Sequence, residues 1–144
     1  MLGGMATLAR LVLSLAAALA LVGHPATRIP PGVREIDIHS SPGVSRRVTD
    51  PEKVARIVRG FDALRTAPRR IYYCPLIRHR PPTSFLFRSA SGAVLLRART
   101  PGRAACGSSF DYSVRGRAQT PVLEGRFLVR VGRLLGMRLV PPYR

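Results

Sequence analysis

Cys74 and Cys106 are the chain's only cysteines, and an even count in an oxidising compartment reads as one disulfide. It would close a loop of about 33 residues, worth roughly 3–4 kcal/mol in the chain-entropy picture. A zinc site would want four ligands at short spacing, and no CxxC or HxxxH is present. A reactive thiol would want a histidine beside it, for which His79 is the plausible residue. A second chemistry is anion binding. Arg69-Arg70-Ile71-Tyr72-Tyr73 and Arg78-His79-Arg80, with Arg97 and Arg99 on a neighbouring hairpin, interleave cations with aromatics beside the two cysteines. Arginine forks chelate phosphate and carboxylate oxygens, and tyrosine stacks or hydrogen-bonds. These six arginines are the expected anion-binding surface. The plainer alternative is a tyrosine pair half in the core and a solvated rim of arginines.

Catalysis finds less support. Gly107-Ser108-Ser109 lacks the G-x-S-x-G elbow and falls where a turn is expected. His79, Asp111 and Ser108 can be drawn as a triad, but nothing in their spacing supports it. Asp50 and Glu52 have the positions of helix caps, and Glu124 that of a first-turn charge. A phosphate-cradling G-x-x-x-x-G-K-[ST] loop is absent. His39 and His79 read as surface residues on basic segments. No catalytic residue, metal or cofactor is therefore expected.

The elements that must position these groups follow from periodicity. Val33–His39 alternates, with Ile36 and Ile38 on one face and Asp37 and His39 on the other, as a strand does. Thr49-Asp50-Pro51-Glu52 starts a helix: an oxygen caps free N–H groups, proline suits the first turn, and the acid complements the dipole. Val54, Ile57, Val58, Phe61 and Leu64 then recur at helical spacing, with Lys53, Arg56 and Arg59 facing solvent. Ile71–Leu76 is a β-branched and aromatic strand. Thr83–Arg88 and Ala93–Arg99 alternate around a glycine-containing turn and form a hairpin. Phe110–Val114 is a further short strand. Thr120-Pro121-Val122-Leu123-Glu124 repeats the helix-start pattern, ahead of the stripe Leu123, Phe127, Leu128, Val131, Leu134 and Leu135, and Gly136 stops it. Gly125 and Gly132 weaken this helix by about 1 kcal/mol each, so an amphipathic strand over Arg126–Val131 stays open. The expected fold is α+β: a small antiparallel sheet of about four strands, two amphipathic helices on one face, and one disulfide.

Ahead of the domain lies an apolar leader. Met1–Arg10 carries one positive charge and no acid, Leu11–Val22 is apolar apart from Ser14, and Gly23-His24-Pro25-Ala26 ends the run. That is the layout of a secretory signal peptide. An uncleaved membrane anchor is the alternative, although a span normally needs about 20 apolar residues. The expected organisation is a leader over residues 1–26, a proline-rich lead-in with a short strand over 27–47, one domain over 48–138, and a tail over 139–144. With 24 basic against 7 acidic residues the net charge is +17, and all the basic residues but Lys53 are arginine. A GC-rich genome accounts for arginine in place of lysine, but not for the shortage of acids. A polyanionic partner is the competing explanation.

Val48-Thr49-Asp50-Pro51-Glu52-Lys53-Val54 opening an amphipathic helix, then Pro68, Tyr73-Cys74-Pro75, an alternating hairpin, the lone Cys106 and a leucine-rich C-terminal helix together resemble a group of small exported actinobacterial proteins of uncharacterised function. The resemblance spans Val48 to Gly136. It implies a disulfide-tied extracellular or envelope-attached domain and brings no catalytic residues. In that group a glycine often precedes the second cysteine, whereas Ala105 stands there here. The expected function is thus an exported, non-enzymatic domain, secreted or in the cell envelope, binding an anionic envelope polymer or extracellular protein. No motif supports nucleic acid, and a membrane is reached only through an uncleaved N-terminus. A secreted enzyme inhibitor presenting a loop over Arg99–Ser108 is one alternative; a small secreted hydrolase is the other.

Overall fold

Backbone pairing, more than helix packing, organises this chain. A computed structural model describes residues 27–40, 43–68, 77–79, 82–101, 103–105 and 109–139, with the backbone alone at 77–79 and 103–105. The order is β1 (Val33–Ser40), β2 (Val44–Val48), α1 (Pro51–Asp62), β3 (Ile77–His79), β4 (Thr83–Ser89), β5 (Val94–Arg99), β6 (Arg103–Ala105), β7 (Ser109–Val114), β8 (Arg117–Ala118), β9 (Val122–Leu123) and α2 (Phe127–Leu135). An antiparallel sheet runs β2-β1-β4-β5-β7-β8, with β9 also paired to β7, and β3 pairs β6 in a separate two-stranded ladder. The α+β class stands, but the sheet has 7 strands where about four were expected.

Three of the extra strands have local causes. β2 reads Val-Ser-Arg-Arg-Val and is exposed at every position but the last. As an edge strand it has no apolar alternation to betray it. β8 is two residues turned back on β7 through Arg115 and Gly116, both with positive φ (47° and 80°), the backbone a tight hairpin turn demands. β9 takes residues read from sequence as the start of the second helix. There the Leu123 N–H donates to the Arg65 carbonyl at 2.7 Å and the Ala67 N–H to the Pro121 carbonyl at 2.8 Å. Backbone pairing with the segment after α1 overrides the Thr120-Pro121 helix signal, so α2 starts at Phe127 rather than near Leu123.

α1 matches its sequence signal. The Asp50 carboxylate accepts from the Glu52 and Lys53 N–H groups, both at 3.0 Å, and Val54, Ile57 and Phe61 are buried. β1 lies between β2 and β4, so the strand read as part of a lead-in is interior to the sheet. The chain before it is fastened too. The Asp62 carboxylate accepts from the N–H groups of Arg28 and Ile29 at 2.8 and 3.0 Å, the Arg28 guanidinium donates to the Asp62 carbonyl, and Ile29 is buried.

One face of the sheet is the core. Ile36 and Ile38, Phe85 and Phe87, Leu96 and Ala98, and Phe110 are all fully buried, and Phe61 of α1 and Phe127 of α2 cover them. Phe61 meets the rings of Phe87, Phe110, Tyr112 and Phe127 at centroid distances of 5.6 to 5.7 Å, an arrangement favoured beyond area burial alone. α2 ends at Gly136 in the left-handed conformation, as expected. The expected disulfide and the strand over Ile71–Leu76 lie outside the described residues.

Candidate anion-binding face

The face of the sheet opposite the core follows from the same alternation. If Ile36 and Ile38 point inward, Glu35, Asp37 and His39 must point outward. Pairing then sets them in rows across the strands. One row runs Arg47, Asp37, Leu86, Arg97, Ser113; the next runs Ser45, His39, Ser84, Arg99, Asp111.

Asp37 is the anchor of this face. Its side chain is 8% exposed, and it accepts from Arg47 Nε at 2.9 Å and from Arg88 Nε at 2.8 Å. Burial alone pushes its carboxyl up. The hydrogen bonds and positive charges of the two guanidiniums outweigh that, and the carboxyl sits below its ordinary value. Glu35 adds a contact to Arg47 at 3.2 Å. Two arginines of this face are thus consumed by its own acids.

Arg97 and Arg99 are not. Both are exposed, and among the described residues neither guanidinium makes a hydrogen bond or ion pair. They line an open groove of about 580 Å³ together with His39, Ser45, Ser84 and Leu86. Ser45 Oγ and His39 Nδ1 are 3.0 Å apart. Beneath the end of the groove, Ser40 Oγ and Thr83 Oγ1 lie 3.1 Å apart, and the Thr83 N–H donates to Thr100 Oγ1 at 2.8 Å. These buried hydroxyls pin the strand ends and so fix the groove's geometry. Asp111 stands opposite Arg99 on β7 without closing an ion pair.

Of the six arginines expected to form one surface, Arg97 and Arg99 are brought together here. Arg78 falls on β3, in the separate ladder. Its side chain, with Arg69, Arg70 and Arg80, lies outside the described residues, as do Cys74, Cys106, Ser108 and the side chain of His79. Sequence reading missed His39, Ser45 and Ser84 as groove residues. The outward parity of His39 was legible, but the strand order that sets it two strands from Arg99 was not. Among the described residues no three His, Cys, Asp or Glu side chains gather to hold a metal, and no helix is long and apolar enough to cross a membrane. Comparison with protein-family models, curated proteins and solved structures gave no match in any of the three.

Proposed function

We propose that this chain is an exported, non-enzymatic domain that holds an anionic polymer or protein of the cell envelope or extracellular space. The observation that carries the reading is the pair Arg97 and Arg99, uncommitted among the described residues, beside an open groove in a chain of net charge +17. A field of that sign draws in polyanions from a distance, and arginine forks then hold phosphate or carboxylate oxygens. The apolar leader supports export. A Cys74–Cys106 disulfide belongs to the same proposal, supported by the pairing of Ile77, three residues after Cys74, with Ala105, which precedes Cys106. Cosedimentation with isolated cell envelopes tests the function. The protein should pellet with untreated envelopes and be released by salt. Equal pelleting with envelopes stripped of anionic polymers would defeat the polymer reading.

A further inference from the structure

Resting on that reading, we infer that the groove takes a polyol-phosphate polymer whose neighbouring phosphates are linked through three carbons, with Arg97 and Arg99 each holding one of two consecutive phosphates. The argument is one of matched repeats. Arg97 and Arg99 lie two residues apart on the same face of β5, a separation of roughly 6.7 Å along a strand. Two residues of polypeptide comprise six backbone bonds. A phosphodiester chain with a three-carbon spacer also has six bonds from one phosphorus to the next, an extended span of about 7 Å. Inorganic polyphosphate places its phosphorus atoms two bonds apart and cannot give each guanidinium its own phosphate without skipping units.

The rest of the groove suits such a chain. On β4, Ser84 opposite Arg99 offers a hydroxyl for the polyol, and Leu86 opposite Arg97 offers an apolar patch for the carbon spacer. Asp111, across from Arg99, repels phosphate from β7 and directs the polymer along β5. A nucleic-acid strand has the same six-bond repeat, but binders of single strands add aromatic side chains on which bases stack. Among the described residues the groove lining contains no Phe, Tyr or Trp, which favours a polymer without bases.

The test is fluorescence anisotropy with labelled poly(glycerol phosphate), alongside inorganic polyphosphate and single-stranded DNA of matched phosphate number. The expected result is that Arg97→Ala/Arg99→Ala weakens binding of the glycerol polymer at least about tenfold and lowers the log–log salt slope by about 1.4. Arg56→Ala/Arg130→Ala, which removes the same charge from exposed helix positions, should change affinity by less than about threefold. Asp111→Asn should tighten binding, a gain that damage to the fold would not produce. Equal losses in the two arginine doubles would overturn the groove and leave the general anionic reading standing. Tighter binding of DNA than of the glycerol polymer would overturn the ligand class. Failure of the unmodified protein to bind any of the three would remove both the groove and the polymer reading it rests on.

Discussion

Asp37 is a carboxylate that spends two arginines on structure, and its chemistry is measurable. Because its folded value lies below the ordinary one, it stabilises the fold fully above the usual carboxylate pKa of about 3.9. That contribution fades as pH falls from there through the lower folded value. Arg47 is largely in solvent, 64% exposed against 27% for Arg88, so its share is screened and Arg88 carries more. Asp37→Asn should therefore lower stability by about 1–2 kcal/mol at pH 7 and by clearly less at pH 3, as read from urea unfolding at both values. An equal loss at the two pH values would mean that shape, not charge, sets the cost. Asp37 could be placed on the outer face from sequence, since it alternates with Ile36 and Ile38. Its partners could not, because Arg88 is 51 residues away and meets it only through the β1–β4 pairing.

At the scale of elements, the two helices differ in how much of them the sequence betrays. α1 is written locally, by a capping carboxylate and a proline at its first position. Asp50→Ala should lower stability by about 1 kcal/mol through loss of two hydrogen bonds to the first turn, measured by denaturant unfolding. α2 is hidden by competition: Pro121, Val122 and Leu123 carry helix-start residues yet are used up by pairing with residues 65–67. Its interior glycine is also not the weakness that propensity suggests. A Cβ on Gly132 would come within 2.6 Å of the Met137 carbonyl oxygen, where the chain folds back and the Met137 N–H donates to the Gly132 carbonyl at 2.8 Å. A Cβ on Gly60 of α1 would meet only Phe127 ring atoms, the nearest at 3.4 Å. Gly132→Ala should cost about 1–3 kcal/mol, whereas Gly60→Ala should be neutral or stabilise by up to about 1 kcal/mol. Thermal unfolding of the two variants separates backbone collision from propensity. The β4–β5 hairpin was legible because alternation and a turn glycine agree. β2 was not, because an edge strand wet on both sides has no pattern to read.

At the scale of the whole molecule, composition gave the sign of the charge but not its distribution. Seven acids among 24 basic residues would look like a uniform excess, yet Glu35 and Asp37 are both drawn to one side of the outer face. They neutralise Arg47 and Arg88 and leave Arg97 and Arg99 of β5 uncommitted among the described residues, with Asp111 opposite Arg99. Export and covalent closure are tested together by intact mass. The protein recovered from culture medium should lack its leader and weigh less than its reduced form by the two thiol hydrogens. Full-length protein with two alkylatable thiols would contradict both. A different consequence follows from the ring cluster. All five phenylalanines of the chain meet in that cluster, Tyr112 lies edge-on to Phe61 at 5.7 Å, and there is no tryptophan. The protein therefore carries its own optical gauge of core order: the near-ultraviolet dichroism of packed phenylalanines, with no indole band laid over it. Melting of the aromatic cluster can be followed without a label.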